Sequence, residues 1–547
     1  MIRYRRHPTI IFGAFMLLSL HCTAQEKIEL VHRYLWLPVD TKEEIQQLTI
    51  EDMRGTQLEK MNIRLARDSP EFWVTWDGLD HLNQKVALKS SKTNWSIRVK
   101  QSDERPGLDS LYQEKLRPQF HFSAQIGWLN DPNGLVYHNE EYHMFFQHNP
   151  YGWYHGNMHW GHAVSKDLLH WEELDIAITP IYNDWAFSGS AVIDKGNTAG
   201  FGENALVAAY TSTARGECLA YSLDNGRTFK EYDGNPVLKH SGRDPKVFWY
   251  APGKHWVMVV FNADYYDASN GQSFKKRVLQ IHTSTDLKNW EYQSEIPYMW
   301  ECPELFELPI EDNPEQKKWI VYGGNAQYMI GTFDGKKFTP ETSKLIFKEG
   351  AHYASQTYNN TPDGRRIMQA WGTIPAPGMP FNQMMLFPTE LRLVNTIAGL
   401  RMLPKLIKEI SLLHNNRQAW GGIQITRDKS LSTDVKSDVL HVIATFDGSD
   451  DLHFGLNING YKLDYDNLSF LLDGVHMMPD NGEIKIEVLV DRTSIEIFGN
   501  DGKAYIVRPH ISKNLNLEIY SNSPHWEAGT HTSLKKLEVF EMKSIWK

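Results

Sequence analysis

The sequence predicts an all-β protein: a five-bladed β-propeller followed by a C-terminal β-sandwich, with a small extra N-terminal β domain. Three observations predict it. Helical periodicity is almost absent from residue 116 onward, where aromatic-rich runs are separated by Gly, Asn and Asp turns. Four segments share one plan: "SKDLLHWEE" from 165, "SLDNGRTFKE" from 222, "STDLKNWEY" from 284 and "TFDGKKFTPE" from 332. The tail then returns to apolar and polar alternation, as in "EIKIEVLVDRTSIEIFGNDG".

Taken in order, Arg3, Arg5 and Arg6 precede the apolar run "TIIFGAFMLLSL", which is too short to span a bilayer but suits a secretory signal over residues 1–24. Ala24 could precede the cut, whereas Cys22 could instead carry a lipid, although His21 fits a small-residue lipobox poorly. The chain is therefore expected to be exported, to the periplasm or outside the cell, with no transmembrane segment in the mature chain. Cys218 and Cys302 alone would remain after cleavage, which excludes a disulfide scaffold and leaves one bridge between them open.

Residues 26–115 alternate in short runs such as "FWVTW" and "WSIRVK", as a small β domain would. In residues 116–400 each repeat puts Ser or Thr and an Asp before a turn, then Trp or Phe a few residues later. A propeller blade supplies that plan, a turn followed by an aromatic that packs under the next unit, in four strands over roughly 40 to 60 residues. Residues 116–395 then hold about five such units. Four unrelated hairpins are the alternative, and the register shared by all four copies argues against it. "LRMLPKLIKEISLL" reads as a short amphipathic connector within a linker at 401–420, and residues 421–547, with an "NDG" hairpin signal, read as the sandwich.

A chain of 547 residues should divide into about two to four domains. Its net charge of -10 argues against a nucleic-acid partner, which needs clustered cations to displace counterions. A neutral ligand fits better. With no Gly-rich phosphate loop, nucleophile elbow or nucleotide fingerprint in the sequence, no cofactor is expected.

Three acidic residues stand out: Asp131 in "WLNDPNG", Asp244 in "SGRDPKVFW" and Glu301 in "MWECPELFEL". Asp131 to Gly134 are residue types that close turns, so a turn is expected there. Each acid has apolar or aromatic neighbours and a proline close behind it to stiffen the chain. Each alone is equally well explained as a turn or an ion pair. Together, on successive blades, they could converge on the central pocket of a propeller. Hydrolysis of a glycosidic bond uses two carboxyl groups across the scissile bond, and a third can steady the oxocarbenium-like transition state. "HNPYGWYHGNMHWGH" suggests a metal, but no helical HExxH arrangement accompanies His159 and His162. It reads instead as a polar, aromatic sugar-binding surface whose imidazoles bond hydroxyls, and no metal is expected.

In this order "WLNDPNG", "FFQHNP", "WGHAVSKDLLHW", "FSGSAV", "RDPKVF" and "ECPELFEL" strongly resemble glycoside hydrolase family 32, the β-fructofuranosidases that include invertases, inulinases and levanases. The resemblance covers about residues 120–395 and extends more weakly to "VDRTSIEIFGNDG". It implies a five-bladed propeller and a β-sandwich, with Asp131 as nucleophile, Glu301 as acid/base and Asp244 as transition-state stabiliser that also grips hydroxyls. Asn130, Gln147, Trp160, Phe187, Ser188 and Arg243 match positions lining the fructose pocket. The implied activity is retaining hydrolysis of β-fructofuranosyl linkages, exo-acting on levan, inulin, fructo-oligosaccharides or sucrose. An endo-acting levanase or inulinase, a fructosyltransferase and a non-catalytic fructan-binding protein are the alternatives.

Such a mechanism asks that Glu301 hold its proton until it acts, helped by burial near Trp300 and a nearby carboxylate, and that Asp131 stay ionised, helped by Asn130 or turn amides. The sequence departs from the family at His148, at Glu304, in "GAHYASQTY", which lacks an Asp, and at Phe381 and Thr389. None of these departures falls on the three acids.

Overall fold

The computed structural model describes residues 24–92, 98–181, 184–239, 242–266, 275–449, 453–522 and 531–546. Apart from Ala24, the segment read as a signal, with Cys22, lies outside them. Contacts divide the chain into Met1–Pro70 with Thr75–Arg105, and Glu71–Val74 with Pro106–Lys547. In the first unit Ala24–Glu29, Lys85–Ser90, Gln46–Asp52 and Gln57–Ile63 form an antiparallel sheet in that order. Leu48 and Ile50, two residues apart, are fully buried, as strand alternation requires.

The second unit opens with five four-stranded blades. Their inner strands are Gly127–His138, Ala186–Asp194, Arg243–Tyr250, Glu304–Ile310 and His352–Thr357. Phe381–Asn382, from the fifth blade, pairs in parallel with Gly127–Trp128 of the first and closes the ring. The four repeats are the links between third and fourth strands of blades one to four. Asp167 accepts from the backbone N–H groups of Leu169 and His170, and Asp286 from those of Lys288 and Asn289. In each case a Trp follows, Trp171 or Trp290, whose indole donates to a carbonyl of the same turn. Asp224 and Asp334 cap the equivalent turns. The repeat is thus an Asp-capped turn with an aromatic foot.

Two expectations are corrected. Residues 127–138 form one continuous strand, so Asp131 to Gly134 are not a hairpin turn; that turn falls at Asn139 and Glu140, both at positive φ. Residues 401–420 are not a linker either. Gly399–Leu406 is the outer strand of blade five, Lys408–Leu413 a 3-10 turn, and His414–Ile425 already a sandwich strand. Met402, Leu406, Ile407, Ile410 and Leu413 are all buried, and their spacing imitates an amphipathic helix because strand and turn successively face one core.

The tail folds as two packed sheets, of seven and six strands, around Val442, Leu456, Ile486 and Ile519. Glu349–Gly350, just before the fifth inner strand, joins the edge of the larger sheet beside Ala504–Pro509. His121 pins propeller to sandwich. Fully buried, it meets Asp491 Oδ2 at 2.8 Å through Nδ1 and Glu496 Oε1 at 2.7 Å through Nε2. Burial opposes its charge, but the two carboxylates outweigh it and raise the imidazole from 6.5 to about 9. Its stabilising effect is therefore complete below pH 6.5 and lost as pH rises through about 9. Removing one member strands buried carboxylates. His121→Ala should cost about 3–5 kcal/mol in a denaturant melt at pH 7, and a loss under 1 kcal/mol would refute the clamp.

Candidate active site

A strand sends alternate side chains to opposite faces, so a pocket at the strand ends needs that alternation broken. The inner strands break it with β-bulges. Register shifts fall between Leu129 and Pro132, Phe187 and Gly189, Arg243 and Lys246, and Tyr353 and Gln356. These bulges bracket Asn130, Asp131, Ser188 and Asp244. Each inserts a residue that re-aims its neighbours. Glu301 comes from the segment three residues before the fourth inner strand. Asp244 and Cys302 have φ of 65° and 50°, a left-handed backbone uncommon for residues with a Cβ. Two hydrogen bonds hold this geometry: Asp244 N–H donates to Thr211 Oγ1 (2.9 Å), and Cys302 N–H to Asp244 Oδ2 (3.0 Å).

The three acids meet through shared partners. Asp131 accepts from Asn130 Nδ2 (3.0 Å), Ser188 Oγ (2.7 Å) and, weakly, Cys302 Sγ (3.5 Å). Cys302 Sγ is also 3.5 Å from Asp244 Oδ2, so one thiol touches two carboxyl groups. Glu301 accepts from Arg243 through Nη2 and Nε, and from the Tyr353 hydroxyl at 2.6 Å. Arg243 Nε is also 3.8 Å from Asp244. Trp128 fixes Asn130 through its indole N–H (2.8 Å) and meets Trp371 edge-on, as does Tyr353. A cavity of about 740 Å³ adjoins the cluster beside Phe187, Thr211, Arg215 and Arg243.

Crowding sets the charge. Burial pushes Asp244 up to about 8; Arg243 opposes this, while Glu301 and Asp131 add to it. Burial also raises Asp131 from 3.8, against the pull of Ser188 and Asn130. Burial, with three carboxyl groups nearby, lifts the Cys302 thiol well above its usual value. Burial and Glu301 raise Tyr353, so both groups remain protonated donors.

The structure thus brings Asn130, Asp131, Ser188, Arg243, Asp244 and Glu301 together, with Phe187 half-buried beside the adjoining cavity. Trp160 and Gln147 lie deeper. Trp160 has no accessible surface and donates to the Phe187 carbonyl, while buried Gln147 donates to that of Ala186, so both brace the wall. His159 and His162 do not form a sugar-binding surface. Both are buried among blade strands, burial lowers both, and His162 stacks on Phe145. Sequence reasoning missed Tyr353, Thr211 and Cys302 as site residues; only the left-handed strain at Cys302 marks it, and that is invisible in sequence. Cys218 and Cys302 are both buried free thiols, which closes the question of a bridge.

The Glycosyl hydrolases family 32 N-terminal domain matches residues 121–404, and the Glycosyl hydrolases family 32 C-terminal domain matches 410–541. The chain is 36% identical over 506 residues to a levanase of Bacillus subtilis, covering 80% of this chain and 72% of the levanase. It is 29% identical over 550 residues to an extracellular exo-inulinase of Aspergillus awamori, covering 80% of this chain and 96% of the inulinase. The crystal structure of that organism's exo-inulinase superposes with a TM-score of 0.70 at 28% identity, over 80% of this chain and all of the other. Fructan 1-exohydrolase IIa of Cichorium intybus shares the fold, with a TM-score of 0.66 at 21% identity over 79% of this chain and 98% of that one.

Beneath the acids a buried ion pair ties their strands. Lys246 Nζ, two residues after Asp244, lies 2.8 Å from Glu304 Oε1, three residues after Glu301, and donates to the Thr357 carbonyl at 3.1 Å. Thr357 Oγ1 donates to Glu304 Oε2 at 2.6 Å, so blades three, four and five share one knot. Glu304→Leu should therefore cost about 3–5 kcal/mol by leaving the ammonium buried alone, whereas Lys246→Met/Glu304→Leu should recover most of that. Equal losses in thermal melts of the two proteins would refute the pairing.

Proposed function

Because the chain belongs to glycosyl hydrolase family 32 and so hydrolyses fructans or sucrose, we propose that it is an exported, exo-acting β-fructosidase with Asp131 as nucleophile, Glu301 as acid/base and Asp244 as stabiliser. The observation that carries this reading is the convergence of the three carboxyl groups, from three blades, on Cys302 and Arg243. Asp131 attacks the anomeric carbon of a terminal fructosyl unit as its bond to the leaving oxygen breaks. Glu301, aimed by Arg243 and Tyr353, delivers its proton to that oxygen. Glu301 then takes a proton from water, which displaces Asp131 with net retention. Asp244 sits deepest, where it can grip hydroxyls and face the positive charge developing on the ring. A complete trio supports turnover over mere binding.

One cluster of acids with Phe187 beside the adjoining cavity favours release of one fructose at a time, and the exo-inulinase relative supports that reading. Export is supported by the arginine-led apolar run at the N-terminus and by the extracellular relative. Among the described residues no helix is long and apolar enough to cross a membrane.

Timed product analysis on levan, inulin and sucrose tests the reading. Fructose alone from the earliest point supports exo action, and an oligosaccharide ladder refutes it. Glu301→Gln should slow sucrose cleavage by about 10²–10⁴-fold and spare aryl fructosides with good leaving groups; equal loss on both would refute its role as acid. Asp131 must be ionised to attack, and its pKa is raised, so kcat/KM should fall with acid from a limb above 3.8. Ser188→Ala removes a donor to the ionised form and should move that limb to still higher pH; a shift downward would contradict the assignment.

A further inference from the structure

At the opposite ends of the inner strands lies a second cavity, of about 780 Å³. That is within the range of small-molecule sites, about 300–1,000 Å³. The far ends of the inner strands of blades two and three line it, at Asp194–Gly196 and Phe248–Tyr250, with Leu305–Glu307 from the first half of blade four's inner strand. Asp244 to Phe248 and Glu301 to Leu305 are each four residues, which puts roughly 13 Å of backbone between these acids and the nearest lining residues. It is not a subsite of the catalytic pocket.

Its lining joins aromatic faces to polar edges. Trp249 is 42% exposed and packs edge-on against Trp256, at 5.0 Å between centroids. Phe248, Tyr250, Trp319 and Phe333 continue the wall in mutual contact. Lys195 reaches Asn360 at 2.9 Å. The Arg366 guanidinium lies 5.2 Å over Phe306; its hydrogen bonds, to Thr357 Oγ1 and the Tyr358 carbonyl, are both long at 3.4 Å. Among the described residues no carboxylate is within ion-pairing distance of it, which leaves donor capacity for a ligand. Two cations, Lys195 and Arg366, are balanced by Asp194 and Glu307, so the cavity has no net sign with which to select an ion. Apolar platforms, free donors and balanced charge suit a neutral, polyhydroxylated ring.

We propose that this cavity is a second, non-catalytic carbohydrate site that holds a segment of the fructan polymer. The proposal rests on the fructosidase reading. Holding the polymer on one face raises its effective concentration at the other, a gain that a disaccharide cannot share.

The test uses the full chain with levan and inulin as probes. In an Asp131→Asn background, which binds without turnover, Trp249→Ala should weaken polymer retardation in affinity gels by about three- to tenfold, the loss of one aromatic contact. In the chain with Asp131 intact, Trp249→Ala should raise KM for polymer by a similar factor and leave kcat/KM on sucrose unchanged. Lys195→Ala, at the exposed rim, should act in the same direction. Polymer affinity unchanged in both variants overturns the proposal, as does an equal loss on sucrose and polymer. A wild-type chain that cleaves no fructoside overturns the functional reading instead.

Discussion

A β-strand sends successive side chains to opposite faces, and the inner strands of this propeller break that rule at the same end. Without the bulges at Asn130–Asp131, Ser188 and Asp244, a regular pleat could not hold these neighbouring residues on one pocket. The strained backbone at Asp244 and Cys302 belongs to the same break, and Thr211 and the Asp244 carboxylate hold it from either side. The deeper ion pair of Lys246 and Glu304 resumes regular packing just below. The catalytic geometry is therefore a property of strand irregularity set on a rigid base.

Once three acids share a pocket, electrostatics constrains what else can be there. Full ionisation would place three like charges in a region of low polarisability. The structure answers with a guanidinium at Glu301 and Asp244, hydroxyl and amide donors at Asp131, and a raised pKa at the most enclosed acid. The nucleophile stands where its own donors favour charge, and the acid where a phenol and an arginine orient it. Different hydrogen-bond partners thus distinguish chemically similar side chains.

Much of this was legible in the sequence. The Asp-capped turn with its aromatic foot repeats at short range, so blade organisation could be read from local residues such as Asp167 and Trp171. The acids stood out because their motifs are local too. Contacts made across the fold left no comparable trace. Tyr353 reaches Glu301 from 52 residues away, Glu304 pairs with Lys246 across blades, and His121 finds Asp491 across 370 residues. Local composition also misled. Asp-Pro-Asn-Gly suits a turn, but Gly134, at φ 55° and with Phe145 2.6 Å from where a Cβ would sit, serves a bulged strand pressed against its neighbour. The apolar spacing at 401–420 fitted a helix and a strand-turn-strand equally well.

The central claim is that the bulge of blade one presents Asp131 as a nucleophile. It is tested most directly by acid-quenching the protein during steady-state turnover of an activated fructoside and mapping its peptides by mass. The account predicts one added fructosyl unit, as an ester on the peptide that contains Asp131, and no adduct in Asp131→Asn. An adduct on another residue, or inverted product with no adduct at any quench time, would contradict it.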